Sequence, residues 1–266
     1  MLLNQHHNLV TLFQTILPRS RISIVALITQ PRDKVYTMVE VKKYHLPPTA
    51  LIPNSPQPLL HYPGLLAQKT NLTPHGVFDL FDSNGWQVQW IFRYGQTQDS
   101  HYHSQAHECM AVLTGSATIR FGVADTDADL EASTHGNAKE DGGIELKANA
   151  GDVFVLPAGL AHKTFDTTPG EFALLTPGDG HGVAADDGDV RRALQEIKLN
   201  GFTMIGAYPK VGANVWDFAV GGENKGEYEK VWNIPKPECD PVLGKSKEGL
   251  AGLWQDAPSG GAKAKL

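Results

Sequence analysis

The 266-residue chain has only two cysteines, Cys109 and Cys239. Two thiols cannot build a disulfide framework, and their scarcity indicates a reducing, intracellular compartment. Because successive side chains of a strand alternate between its faces, Cys109 should point away from its neighbour Glu108. We therefore expect Cys109 to fill space in the core.

Long basic runs and long apolar runs are both missing. The formal net charge is -6, and no block of Lys or Arg is long enough to form a phosphate-binding stripe. The longest apolar run near the N-terminus, residues 22–28, is too short to span a bilayer. These absences argue against nucleic acid and membrane partners, and they favour a small-molecule ligand.

Acidic residues are absent before Asp33. Three arginines lie instead among Leu, Ile, Val, Ser and Thr: Arg19, Arg21 and Arg32. This composition is typical of a transit peptide and predicts mitochondrial import if residues 1–37 are translated. The alternative is that translation starts at Met38 and that the extension is an artefact of a misassigned start. In either case we expect a poorly ordered extension.

The last three residues, Ala264-Lys265-Leu266, have the small-basic-leucine pattern of a peroxisomal signal. The surrounding tail is rich in Ala, Gly and Lys, so a chance match is the alternative. We expect a cytoplasmic or peroxisomal protein with a flexible tail over residues 255–266.

Glycine and proline punctuate the chain, with 27 and 17 copies between many short apolar runs. This pattern favours an all-β fold over a helical bundle. The length and the 41% hydrophobic content favour one domain with appendages. Prolines at positions 47, 48, 53, 56 and 58 predict that residues 39–62 form an extended arm after a short first strand.

Five apolar residues alternate with other residues over 86–94 and predict a strand with one aromatic face: Trp86, Val88, Trp90, Phe92 and Tyr94. This face should fill the core, with the wall of a substrate pocket as the alternative. Residues 189–199 have the apolar spacing of a helix, with Asp189 as its cap. This helix lies in an inserted segment, residues 176–200, and is either a lid or a surface excursion.

Residues 95–115, GQTQDSHYHSQAHECMAVLTG, concentrate candidate metal ligands. His101 and His103 are two residues apart, so an extended backbone directs both imidazoles to one face. Glu108 opens the apolar run that follows. We expect His107 to face the other way and to be a supporting or surface residue rather than a ligand.

A fourth ligand is expected from residues 151–166, GDVFVLPAGLAHKTFD. An apolar strand there runs into a Pro-Ala-Gly turn and then into His162, which can return to the same cavity. Three imidazoles and one carboxylate suit a divalent transition metal, and iron, manganese, zinc and nickel all remain open. A barrel whose histidines bind only one another is the alternative.

The two stretches resemble the two motifs of the cupin superfamily. The first has glycine, five residues, His101, one, His103, four, Glu108, six and glycine. The second has glycine, five residues, proline, one, glycine, two, His162, three and Asp166, where the family usually has Asn. Flanking sequence is similar to YjlB-like single-domain cupins over residues 38–254, so these residues are expected to form the domain.

The resemblance implies a double-stranded β-helix, the RmlC-like jelly-roll barrel, with short peripheral helices and extended N- and C-terminal arms. It implies that one divalent metal is held by His101, His103, Glu108 and His162. A dioxygenase-type oxidoreductase acting on a small organic molecule is favoured. A metal-dependent isomerase or lyase and a non-enzymatic ligand-binding or storage protein are the alternatives. A homodimer is expected, and no catalytic base can be assigned.

Overall fold

The computed structural model describes residues 39–167, 170–178, 182–185, 188–211 and 216–256. The predicted N-terminal extension, residues 1–37, and the C-terminal tripeptide Ala264-Lys265-Leu266 lie outside these residues. In the part of the chain that the structure describes, no helix is long and apolar enough to cross a membrane.

Strands dominate the described residues. They are β1 Lys42–Tyr44, β2 Leu59–Tyr62, β3 Trp86–Arg93, β4 Glu108–Thr114, β5 Ser116–Phe121, β6 Ile144–Asn149, β7 Val153–Leu156, β8 His162–Phe165, β9 Ala173–Leu174 and β10 Thr203–Pro209. The helices are short: α1 Leu65–Lys69, α2 Pro74–Ser83, α3 Leu130–Thr134, α4 Val190–Glu196, α5 Tyr228–Trp232 and α6 Leu250–Leu253.

The strands form two antiparallel sheets. The larger has seven strands in the order β1-β2-β7-β4-β10-β3-β9, and the smaller has the order β6-β5-β8. Neither sheet closes on itself among the described strands. The predicted β-rich fold with short helices is therefore confirmed, whereas a closed jelly-roll barrel stays a prediction.

Strand β2 was not predicted, because it falls inside the proline-rich stretch expected to be an arm. Its four residues are all buried, and the strand pairs with β1 on one side and β7 on the other. The last proline of the stretch, Pro58, immediately precedes Leu59, so every residue of β2 has a backbone N–H group. Four residues are too few to show a periodic pattern.

The two largest hydrophobic clusters of the described residues lie on opposite faces of β4. Cys109 and Ala111 pack in an outer cluster with residues of α2 and α4, whereas Met110 and Val112 pack in an inner cluster between the two sheets. This division follows directly from the two-residue period of a strand. The packing role predicted for Cys109 is therefore confirmed.

Helix α4 begins after Asp189, whose side chain accepts a hydrogen bond from the Arg192 N–H at 3.0 Å. The predicted helix and its cap are confirmed. Leu194 is fully buried in the outer cluster, where α4 contacts α2. Since Glu108 and the inner cluster lie on the other face of β4, α4 is not a lid over the predicted ligands.

The predicted aromatic face of β3 is interrupted by a β-bulge. A register shift opposite Gly206 and Ala207 of β10 leaves Gln89 as the extra residue of β3. Val88 before the bulge packs in the outer cluster, and Trp90 after it packs in the inner cluster. The prediction of a single face is wrong for the residues before the bulge, because the extra residue reverses the alternation.

Replacing Gly206 by Ala should destabilise the fold strongly. A Cβ atom at this position would lie 1.9 Å from the nearest atom of the Trp90 indole. We expect Gly206→Ala to lower the free energy of unfolding by about 3 kcal/mol, since overpacking a dense core forces neighbours to move. Urea denaturation measures this change. Gly95→Ala is the control, because its Cβ would meet nothing closer than 3.6 Å, and equal losses in both variants would contradict the prediction.

Candidate metal centre

A pair of backbone hydrogen bonds brings the two motifs together. The His101 N–H donates to the His162 carbonyl at 3.1 Å, and the His162 N–H donates back to the His101 carbonyl at 2.8 Å. The two ring centroids lie 4.2 Å apart. Because His162 begins β8 of the smaller sheet, this bridge places a residue of each motif at one junction.

The turn between β7 and β8 carries the chain from the larger sheet to the smaller one. Gly159 in this turn has φ +84°, in the left-handed region that favours glycine. A Cβ atom there would lie 2.7 Å from Val231. The Gly159 N–H also donates to the His103 carbonyl at 2.8 Å. The predicted turn is therefore present, and its glycine joins it to the first motif.

The four predicted ligands lie together in the interior. One nitrogen from each of the three imidazoles falls within 4.8 Å of the others, and the residues are only 3–6% exposed: His101, His103 and His162. Glu108 Oε1 is 3.3 Å from His103 Nε2, and its Oε2 is 3.4 Å from His162 Nε2. The side chains therefore form one buried cluster of three imidazoles and a carboxylate.

Backbone carbonyls orient the three imidazoles. In each ring Nδ1 faces one carbonyl oxygen: that of Asp99 for His101 at 3.2 Å, of Leu160 for His162 at 3.5 Å and of Asp217 for His103. A carbonyl only accepts hydrogen bonds, so Nδ1 carries the proton and the Nε2 lone pair is left for the cluster. This second hydrogen bond is typical of histidines that bind metals.

Asp217 supports the first motif, and sequence reasoning did not identify it. Its carboxylate accepts from the Ser104 N–H and hydroxyl, both at 2.7 Å, and from the Gln105 N–H at 3.1 Å. It lies more than 100 residues from its partners. No spacing rule in one sequence connects positions that far apart.

Aromatic rings cover the cluster. Phe218 stacks on His101 with ring centroids 3.8 Å apart, and it is 53% exposed. Trp216 stacks on Tyr208 and meets the His103 ring edge-on. The place of Trp216 beside the imidazoles was not predicted.

The charges of the cluster depend on one another. Burial alone would raise the pKa of Glu108, but the neighbouring imidazoles, His103 above all, lower it to about 2. Burial lowers the pKa of His162 to about 4 and holds that of His101 well below its ordinary value. For His103 burial acts in the same direction, but Glu108 outweighs it and raises the pKa. The carboxylate is thus ionised at neutral pH, beside two neutral imidazoles.

The cluster fits a divalent cation. Glu108 Oε2 is buried and has no hydrogen-bond donor among the described residues, although His162 Nε2 lies 3.4 Å away. Such an acceptor is costly to bury unless something compensates its charge. A metal ion that takes the place of a proton on His103 Nε2 would compensate this oxygen and bind the three ring nitrogens, which lie within 4.8 Å of one another.

His107 is buried and points away from the cluster, so the surface alternative is wrong. Its Nδ1 accepts from the Ala158 N–H at 2.9 Å, its Nε2–H donates to the Pro235 carbonyl at 3.2 Å, and its ring packs on Trp254. These bonds require a neutral ring with the proton on Nε2. His107 therefore holds the turn that precedes His162.

Acid should destabilise the protein through His107. Burial lowers its pKa to about 4, below the ordinary 6.5, so the unfolded chain binds a proton before the folded chain does. The contribution of His107 to the free energy of unfolding is complete above pH 6.5 and is lost as the pH falls towards 4. The total loss is roughly 3 kcal/mol. Asn at this position can still accept from Ala158 but does not titrate.

Urea denaturation of wild type and His107→Asn at pH 7 and pH 4.5 isolates this contribution, because the other buried histidines titrate in both proteins. We expect the variant to be less stable at pH 7, since it loses the bond to Pro235, and the gap to narrow or reverse at pH 4.5. A gap that is the same at both pH values would contradict the assignment.

Comparisons with known proteins agree with the motifs. Residues 97–175 match the family model described as Cupin. The chain is 27% identical over 221 residues to the uncharacterized protein YjlB of Bacillus subtilis strain 168, covering 81% of this chain and 97% of that protein. The predicted resemblance to cupins is thereby confirmed.

Two solved structures show more distant likeness. Vicilin from Solanum melongena is 14% identical with a TM-score of 0.26, covering 49% of this chain and 25% of that chain. Oxalate decarboxylase from Lactobacillus farciminis, solved as a formate complex, is 13% identical with a TM-score of 0.25, covering 50% and 27%. The chain thus spans about a quarter of each of these proteins.

Proposed function

This chain carries a cupin domain, and on that premise we propose that the buried cluster binds one divalent metal ion. The proposed ligands are His101, His103, Glu108 and His162. The observation that supports this most directly is the buried Oε2 atom of Glu108, which has no hydrogen-bond donor among the described residues. A cation beside three oriented Nε2 atoms would compensate it.

We further infer a metal-dependent enzyme, with a dioxygenase-type oxidoreductase as the favoured class. Four protein ligands leave one or two coordination positions for other molecules, which is the arrangement of catalytic rather than closed structural sites. Bound iron(II) would supply oxygen activation, whereas zinc or manganese would supply Lewis acidity for isomerase or lyase chemistry. The donor set accepts each of these metals.

The substrate is inferred to be a small organic anion. One carboxylate beside a dication leaves about one positive charge at the site, which attracts an enolate or a carboxylate. The rings of Trp216 and Phe218 flank the imidazoles, and Phe218 is half exposed. These walls favour a ligand with a flat apolar body behind its charged end.

Metal analysis of the purified full chain tests the proposal. We expect about one equivalent of metal per chain in wild type and less than a tenth of that in the His101→Ala, His162→Ala double variant, because half of the donors are lost. His107→Asn is the matched control and should retain the metal, since both His107 nitrogens bind backbone groups. Absence of metal from wild type, even after anaerobic reconstitution, would overturn the proposal.

Oxygen uptake then separates an enzyme from a binding protein. The iron(II)-loaded chain is mixed with a panel of diketones and catechols, and we expect uptake with at least one member and none with the double variant. Lack of turnover with any metal across this panel and an isomerase and lyase panel would leave the non-enzymatic, ligand-binding function. Equal uptake by the double variant would show that the cluster is not responsible.

The assembly and the location of the chain are also proposals. We infer a homodimer, because the terminal arms of a single-domain cupin offer surface for pairing, and sedimentation velocity at twice the 28.9 kDa chain mass would support it. We propose that residues 38–254 form the domain and that the protein is intracellular. Imaging of a tagged chain with Lys265→Asp tests the peroxisomal alternative.

A further inference from the structure

The hydroxyl group of Tyr208 lies among the proposed ligands. It is 2.8 Å from Glu108 Oε1 and 3.2 Å from His103 Nε2. The indole Nε1 of Trp90 lies 3.2 Å from the same hydroxyl. All four side chains are at least nine-tenths buried, so no solvent competes for these contacts.

The direction of these hydrogen bonds follows from the chemistry of each group. The Trp90 indole can only donate, so its N–H is directed to the Tyr208 oxygen. The Tyr208 hydroxyl in turn donates its single proton to Glu108 Oε1. The Asp217 carbonyl takes the Nδ1 proton of His103, which leaves His103 Nε2 without one when it binds metal.

We propose that Tyr208 is a positioning residue that makes Glu108 bind the metal through Oε2 alone. This inference rests on the proposed metal site. The Tyr208 hydroxyl donates to Oε1, whereas Oε2 is buried, has no donor among the residues that the structure describes, and lies 3.4 Å from His162 Nε2. The two oxygens of one carboxylate thereby have different roles, and the coordination position that a second oxygen would fill stays open.

Tyr208 is held too firmly to release Glu108 easily. It lies on β10, whose two neighbours are β3, which carries Trp90, and β4, which begins with Glu108. Its ring stacks on Trp216 with centroids 5.4 Å apart and planes within 3° of parallel. Trp90, Glu108 and Tyr208 therefore lie on adjacent strands of one sheet. Such a sheet is a rigid support for a side chain that binds a metal.

The test compares wild type with Tyr208→Phe, which removes only the hydroxyl. Zinc affinity is measured by chelator competition, and cobalt(II) is used as a spectroscopic probe of coordination number. We expect the Kd for zinc to rise about 10- to 100-fold, as for other residues that orient metal ligands. We also expect the cobalt absorption bands of the variant to change, because Glu108 is free to bind through both oxygens.

Tyr94→Phe is the matched control. It removes a hydroxyl from the same inner cluster, and among the described residues that hydroxyl has no hydrogen bond to Glu108 or to the imidazoles. Its Kd and cobalt spectrum should remain those of wild type. A purely structural role for Tyr208 predicts a lower Tm with and without metal, together with an unchanged Kd and spectrum, and that result would overturn the inference.

Failure of the two proposals is distinguishable. If wild type binds no metal, the metal site itself is wrong and the role of Tyr208 falls with it. If wild type binds metal and Tyr208→Phe matches it in Kd and spectrum, only the positioning role is wrong. Should Tyr208→Phe not fold, Trp90→Phe replaces it, since it removes the N–H that orients the hydroxyl. It should weaken zinc binding about threefold, and an unchanged Kd would overturn the inference.

Discussion

The paired backbone hydrogen bonds between His101 and His162 are the contact on which the rest of the site depends. They join a loop that leads into β4 of the larger sheet to the first residue of β8 in the smaller sheet. Strands β4 and β7 already pair the two motifs within the larger sheet, and these bonds add the start of β8 to that pairing. With them, the imidazoles, the carboxylate at the start of β4 and the carbonyls that orient the rings all meet at one junction.

Burial gives this junction its chemical character. Imidazoles that are removed from water favour the neutral form, which is the form that binds metals. The same removal from water raises the pKa of Glu108, and the neighbouring imidazoles, His103 above all, lower it. The cluster therefore combines one ionised carboxylate with neutral imidazoles at neutral pH, the donor set proposed to bind a metal.

The clustering of the four proposed ligands could be predicted from the sequence, but most of the residues that support them could not. His101 and His103 are two residues apart, a spacing that an extended backbone converts into proximity, whereas the cupin motifs implied that Glu108 and His162 join them. Asp217 and Tyr208 lie about 100 residues further along the chain, and nothing local in the sequence distinguishes them. Their roles arise only from the pairing of strands that are distant in sequence.

Local irregularities of the fold were also beyond prediction. The bulge in β3 lies where Trp90 closely approaches Gly206 of the neighbouring strand β10, and the alternating pattern of β3 itself does not indicate it. Asp166, where cupins usually have Asn, has φ 51°, a conformation that Asp and Asn adopt more readily than other non-glycine residues. The backbone geometry of this turn therefore accepts either residue.

Trp90 has a consequence for how this chain can evolve. The Trp90 ring fits because Gly206 has no side chain. Its indole N–H donates to the hydroxyl of Tyr208, two residues further along β10. A change at any one of the three positions alters the conditions under which the other two are acceptable. Selection should therefore act on them as a linked set, with double replacements tolerated where single replacements are not.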